Sequence, residues 1–65
     1  MYIEKLNAAI DASGYKRKAL AEKLDIRYDT FRRKLNGEHQ FKIIELLNLC
    51  KILNISIIEL FKGEK

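Results

Sequence analysis

The sequence predicts an all-α fold of five short helices. Apolar residues recur at spacings of three and four along most of the chain, which is the periodicity of an amphipathic helix. Alternating patterns long enough for a strand are missing, and there is no proline to interrupt a helix. Because 65 residues leave room for one small domain, we expect residues 1–65 to form a single compact unit.

The first two helices are separated by Ser13-Gly14, which stops the first of them. The second helix is expected over residues 16–24. The apolar faces of the two helices consist of Ile3, Leu6 and Ile10 and of Leu20, Ala21 and Leu24. Asp25 follows where the chain must turn, and aspartate tolerates the left-handed backbone conformation that such turns need.

The third helix is expected from Arg27 to about Leu35. Phe31 and Leu35 lie four residues apart and mark its buried side. Asn36-Gly37 ends it, because glycine suits the position just after a helix. We expect one core to unite the helices, with these residues buried together: Leu20, Leu24, Phe31, Leu46 and Leu53.

Two further helices are predicted after residue 42. The apolar spacing of the fourth helix comes from Ile43, Leu46, Leu47, Cys50 and Leu53. Asn54 ends that helix. Ser56 and Glu59 then form the pattern of a capping box, which opens a short fifth helix that runs through Phe61.

The net charge of +4 is concentrated in the middle of the chain. Residues 15–42 hold nine bases and four acids, a net charge of +5, while the other residues hold four bases and five acids, a net charge of −1. The nine bases are Lys16, Arg17, Lys18, Lys23, Arg27, Arg32, Arg33, Lys34 and Lys42. This distribution favours a polyanionic partner, although a solvated lysine-rich surface has the same composition.

Other classes of function are disfavoured. The single Cys50 cannot form an internal disulfide, which fits the cytoplasm, and no leader or membrane span is evident. We expect no enzymatic activity and no cofactor, since no nucleophile–base set or glycine-rich phosphate loop is present. We also expect no metal site, because His39 has no second ligand at a suitable spacing.

Residues 19–37, with the sequence ALAEKLDIRYDTFRRKLNG, carry the strongest functional signal. They read as two short helices joined by a tight turn, and the second helix is unusually basic. Such a pair is the simplest device for placing side chains in the DNA major groove. We therefore expect a helix-turn-helix in helices two and three.

This segment and residues 41–61, FKIIELLNLCKILNISIIELF, resemble the lambda-repressor-like family of Cro-type and repressor-type domains. The most specific motifs are LAEKL at residues 20–24 and RKLNG at residues 33–37, with Ile26 and Thr30-Phe31 between them. The resemblance covers helices two to five. It implies a compact five-helix bundle that binds double-stranded DNA as a transcriptional regulator, in particular a phage-like repressor.

The resemblance also implies which residues contact DNA. Helix three would be the recognition helix, with base edges read by Tyr28, Asp29 and Arg32. Phosphates would be contacted by Lys16, Arg17, Arg27, Arg33, Asn36, His39, Gln40 and Lys42. The role of Asp29 stays open, because it can accept from a cytosine amino group or form a salt bridge with Arg32 or Arg33.

The chain departs from the family at three helix starts. The family often has serine or threonine as N-cap at the positions of Lys16, Arg27 and Lys42, and all three residues are basic here. A missing cap costs about 1 kcal/mol, and a cation at a helix N-terminus is unfavourable. A DNA phosphate would supply the missing acceptor and negative charge. Two further departures are Arg17 for the usual glutamine and Asp25 for the usual glycine.

One such domain contacts too little DNA for strong specificity, so we expect a homodimer on a pseudo-palindromic operator. Aliphatic residues near the C-terminus are the candidate dimer interface: Ile44, Ile57, Ile58 and Phe61. No small-molecule ligand is expected. Two alternatives remain open, a protein-interaction module such as an antitoxin or anti-repressor with little DNA readout, and nucleic-acid binding through charge alone.

Overall fold

The computed structural model describes residues 2–62 and has the five helices that the sequence predicts. They are α1 (Tyr2–Ser13), α2 (Arg17–Lys23), α3 (Tyr28–Leu35), α4 (Ile43–Leu53) and α5 (Ile57–Phe61). No strand occurs within the described residues. The all-α, five-helix prediction is therefore confirmed, and the residues predicted to start α2 and α3, Lys16 and Arg27, are their N-caps.

All five helices contribute to one apolar core. Four of the five residues predicted to be buried together are in it, and Leu24 is only partly buried at its edge. Leu24 is the C-cap of α2, so it lies where the chain turns away rather than on the buried stripe. The core consists of Leu6, Ile10, Leu20, Ala21, Phe31, Leu35, Phe41, Leu46, Leu49, Cys50, Leu53 and Leu60.

The turn between α2 and α3 has the predicted left-handed residue. Asp25 has a φ of 59°, and the adjacent Ile26 N–H donates to the Ala21 carbonyl at 3.0 Å. This bond satisfies a carbonyl at the end of α2 and brings the chain directly into α3. Gly37, with a φ of 84°, turns the chain away after α3 as predicted.

The capping of α5 differs from the predicted capping box. The Ser56 hydroxyl accepts from the backbone N–H of Ile58, at 3.2 Å, and not from that of Glu59. Ser56 is still the N-cap, because the Ile58 N–H lies in the first turn and has no acceptor inside the helix. The Glu59 N–H donates to the Ser56 carbonyl at 3.0 Å. The short α5 is thus started by its serine and held against α1, where the rings of Tyr2 and Phe61 lie 5.1 Å apart.

Candidate nucleic-acid interface

The third helix presents one polar face to solvent and packs its other face on the core. Phe31 is fully buried, and its ring meets that of Phe41 edge-on at 6.2 Å. Tyr28, Asp29, Arg32 and Arg33 are exposed. The apolar side of α3 fixes the helix, so the exposed side forms a rigid surface at the most basic part of the chain.

The three residues predicted to read bases form one local cluster. The Arg32 Nη1 lies 3.7 Å from the Asp29 Oδ1, and the Arg32 guanidinium lies 5.7 Å from the centre of the Tyr28 ring. The salt bridge considered for Asp29 is therefore made with Arg32. Both side chains are mostly exposed, so this pair contributes little to stability.

The three basic helix starts lack a side-chain cap. Lys16, Arg27 and Lys42 are the N-cap residues of α2, α3 and α4, and their backbones are extended there. None of them makes a side-chain capping bond, since lysine and arginine have no acceptor atom. The predicted departure from the usual capping chemistry is thus present in the structure.

Glu45 provides a hydrogen-bond acceptor at the start of α4. Its Oε1 accepts from the backbone N–H of Lys42 at 2.8 Å and from the Lys34 ammonium at 2.5 Å. The side chains of Lys34 and Glu45 are only 10% and 12% exposed, and the Lys34 ammonium lies 5.8 Å from the centre of the Phe41 ring. Lys34 is therefore neutralised inside the protein, although the sequence places it among the nine bases of residues 15–42.

The environment of Glu45 shifts its pKa. Burial alone raises the pKa of this carboxyl, but the hydrogen bonds from Lys34 and Lys42 and the charges of both lysines outweigh burial, so the pKa is lowered. The carboxylate therefore stays ionised at neutral pH and gives α4 the negative charge that its N-terminus favours.

Arg17 is held by α1. Its Nη1 donates to the Asp11 Oδ1 and its Nη2 to the Asn7 Oδ1, both at 3.0 Å. The Asn7 Nδ2 in turn donates to the carbonyls of Ile3 and Leu35, at 3.1 and 3.0 Å. The predicted phosphate donor thus belongs to a network that joins α1, the start of α2 and the end of α3, and no local sequence pattern predicts this network.

Arg17 also lines a shallow cleft beside the exposed face of α3. The cleft is formed by Asn7, Arg17, Tyr28, Arg32, Leu35 and Asn36. Two guanidinium groups and the amide of Asn36 meet there, which is an arrangement suited to an anion, while the amide nitrogen of Asn7 already donates to two carbonyls. The structure therefore brings together one predicted phosphate contact from α2, one from the loop and two predicted base contacts from α3.

Four of the predicted phosphate contacts lie in the loop after α3. Asn36, His39, Gln40 and Lys42 are all exposed. His39 and Gln40 lie beside a groove that includes Phe41, Ile43 and Phe61, on the side of α4 and α5. The loop thus places Asn36 next to Arg17 and Arg32, whereas His39 and Gln40 lie near α4 and α5.

The four candidate dimer residues differ in exposure. Ile44 and Ile58 are 59% and 73% exposed, and Phe61 is 41% exposed beside Tyr2. Ile57 packs partly against the core. Two apolar residues that were assigned to the buried pattern of helix four are also exposed, Ile43 and Leu47.

Other expectations concern metals, cysteine chemistry and membranes. Within residues 2–62, no group of three His, Cys, Asp or Glu side chains is placed to hold a metal ion. Cys50 is buried in the core as predicted, and burial raises the pKa of its thiol. None of the described helices has the length and hydropathy needed to cross a bilayer.

A family comparison agrees with this geometry. Residues 5–65 match the sequence profile of the Cro/C1-type helix-turn-helix DNA-binding domain. The chain belongs to this family. A Cro/C1-type domain is a DNA-binding module, so the general assignment as a DNA-binding regulator follows from membership. Comparison with the curated proteins and with the solved structures gives no significant match.

Family membership identifies the two helices of the DNA-binding motif. In a Cro/C1-type helix-turn-helix, α2 and α3 form the motif, and in this chain they pack closely through Leu20, Ala21 and Phe31. The predictions of an all-α bundle and of a helix-turn-helix in helices two and three are therefore confirmed together. The first helix, which lies outside the resemblance over helices two to five, is included in the matched range from residue 5.

Proposed function

We propose that this Cro/C1-type domain is a sequence-specific regulator of transcription, of the phage-repressor kind, that reads the DNA major groove with α3. The observation that carries the proposal is the division of α3 into a face locked by Phe31 and Leu35 and a rigid exposed face with two arginines. Recognition helices need this combination, because base contacts are specific only when the helix is held in a fixed position.

The contacts follow from where the exposed side chains lie. Tyr28, Asp29 and Arg32 form the cluster that we propose to meet base edges. The surrounding cations and amides would contact phosphates, namely Lys16, Arg17, Arg27, Arg33, Asn36, His39, Gln40 and Lys42. The uncapped N–H groups at the start of α3 support the contact at Arg27, since a phosphate would accept from them.

Selection of bound duplexes from a random pool tests the proposal. We expect enrichment of a pseudo-palindromic sequence, because a two-fold dimer reads two half-sites about one helical turn apart. A featureless, salt-sensitive pool would instead indicate binding through charge alone. No enrichment and no binding would favour the protein-interaction module, which the exposed apolar side chains of α4 and α5 make the second candidate.

The two adjacent arginines of α3 separate readout from charge. We expect Arg32→Ala to relax preference at one base pair of each half-site, by about 1–3 kcal/mol, because its guanidinium can bond O6 and N7 of guanine. We expect Arg33→Ala to weaken the operator and random duplex equally. Each variant loses one positive charge. If Arg32→Ala weakens binding to the operator and to random duplex by the same factor, the role of Arg32 in base readout is contradicted. Competition binding with single-base operator variants measures the difference.

We further propose a homodimer through α4 and α5. Ile44 and Ile58 are the most exposed of the four candidate residues, so Ile44→Glu with Ile58→Glu is expected to leave the fold intact and abolish the dimer. Ala8→Glu with Ala12→Glu, two exposed changes on α1, is the control for the two added charges. Sedimentation with operator DNA measures the stoichiometry. A double variant that still binds as a dimer would place the interface elsewhere.

The rest of the proposed assignment concerns setting and chemistry. We propose that the chain acts in the cytoplasm as a single domain, without catalytic activity, cofactor or small-molecule ligand. The single Cys50, which has no second cysteine for an internal disulfide, supports a reducing compartment.

A further inference from the structure

One side of α1 faces the helix-turn-helix and is not explained by the DNA contacts proposed above. Ile3, Asn7 and Asp11 follow one another at intervals of four residues, so they form a strip along one face of the helix. All three take part in the network around Arg17. This strip connects α1 to both helices of the motif.

We propose that Asn7 is a positioning residue for DNA binding, which holds the guanidinium of Arg17 in register with the end of the recognition helix. The inference rests on the proposed function, in which Arg17 contacts a phosphate. Asn7 itself would not touch DNA. It would act through two bonds, one from the Arg17 Nη2 to its oxygen and one from its nitrogen to the Leu35 carbonyl.

The amide of Asn7 has a single arrangement that satisfies its neighbours. Its nitrogen faces two backbone carbonyls, those of Ile3 and Leu35, and its oxygen faces an N–H of Arg17. A flipped amide would set oxygen against carbonyl oxygens and nitrogen against a donor. Asn7 is therefore fixed by α1 and α3, and it fixes Arg17 in turn.

Asp11 is a weaker restraint on the same guanidinium. Its side chain is 68% exposed, and the ion pair with Arg17 is solvated. Asn7 is partly buried and joins Arg17 to α3, which Asp11 does not. We therefore assign the positioning role to Asn7.

The restraint leaves Arg17 able to bind a phosphate. A guanidinium has five N–H donors, and the bonds to Asp11 and Asn7 use two of them. The Arg17 side chain is 33% exposed, at the edge of the cleft that also contains Arg32 and Asn36. An arginine held in this position loses less rotamer freedom when it binds, so Asn7 raises affinity by ordering it beforehand.

The unmodified protein gives the first test. Nitrogen relaxation of the arginine Nε–H groups, measured without DNA, reports how ordered each guanidinium is. We expect an order parameter near 0.85, roughly that of rigid backbone, for Arg17 and one below about 0.6 for the exposed Arg33. Equal mobility of the two side chains would overturn the proposal, and no substitution is needed that could unfold the chain.

A double-mutant cycle on DNA gives the second test. The probe is a random-sequence duplex, because phosphate contacts do not depend on sequence. We expect Asn7→Ala to weaken binding about three- to tenfold, the range for one hydrogen bond, and to have no further effect in an Arg17→Ala background. Arg33→Ala is the matched control, in which Asn7→Ala should lose the same factor as in the parent.

The outcomes separate this inference from the proposed function. If Asn7→Ala lowers duplex affinity by the same factor in the parent and in the Arg17→Ala background, then Asn7 has only a structural role and the inference is overturned. If the parent binds the duplex and Asn7→Ala binds it equally tightly, the inference is overturned as well. Failure of the parent to bind any duplex would contradict the proposed function and, with it, the inference. Circular dichroism at the binding temperature shows that each variant compared is folded.

Discussion

Phe31→Ala is expected to unfold the protein at room temperature or bring it close to unfolding. Phe31 is fully buried between the other core side chains and meets Phe41 edge-on. Removing such a ring costs about 3–5 kcal/mol, because the transfer free energy is lost and a cavity remains. Small domains have about 5 kcal/mol of stability, so little would be left.

Tyr28→Ala is the matched control on the same helix. Tyr28 is also aromatic, but it is 41% exposed and outside the core. Its removal should change the free energy of unfolding by about 0.5 kcal/mol, as surface substitutions do. Urea unfolding followed by circular dichroism measures both variants. Equal midpoints for Phe31→Ala and the parent would mean that α3 is not docked through this ring.

The helices could be predicted because local signals agree with tertiary packing. The apolar spacing of α1 to α4 reflects burial on one side, and Asp25 and Gly37 stand where the backbone needs positive φ. The limits of this reasoning show at α4. Ile43 and Leu47 fit the helical apolar pattern but are exposed, because the apolar residues of α4 extend over more of the helix surface than the core can bury.

The interface could be predicted only in part, because its long-range contacts leave no local pattern. Asn7 reaches Leu35, 28 residues away, through a side-chain bond that no spacing reveals. Lys34 lies in a run of bases, yet it points away from Arg33 and into a pocket closed by Glu45 and Phe41. Only the position of α3 against α4 decides that this lysine is inside.

The burial of Lys34 leads to the second prediction with a large effect. Glu45→Ala is expected to destabilise the protein by about 3–5 kcal/mol, because it leaves a lysine ammonium buried without its partner. It also removes the acceptor of the Lys42 N–H at the start of α4. Urea unfolding at neutral pH measures the loss.

A double variant distinguishes the unpaired charge from the missing cap. In Lys34→Met with Glu45→Gln, the buried charges are gone, and glutamine can still accept from the Lys42 N–H. We expect this variant to recover most of the stability that Glu45→Ala loses. If the double variant is as unstable as Glu45→Ala, the unpaired charge does not cause the loss of stability. The loss would then come from the packing of Glu45 against α3.

The same pair makes stability depend on pH in a predictable direction. The pKa of Glu45 is lowered in the folded protein, so the unfolded state takes up a proton first as pH falls. The contribution of the ionised carboxylate is complete above the pKa of an unfolded glutamate, about 4.3, and it is lost as pH falls through the lower folded pKa. The parent should therefore lose stability over this range more steeply than the double variant, which has no carboxyl at position 45. Urea midpoints between neutral and acidic pH measure this difference. If the midpoints of both proteins fall equally with pH, then folding does not lower the pKa of Glu45 and the prediction is wrong. The Lys34–Glu45 ion pair would then contribute no stability that depends on the charge of Glu45 to the contact between α3 and α4.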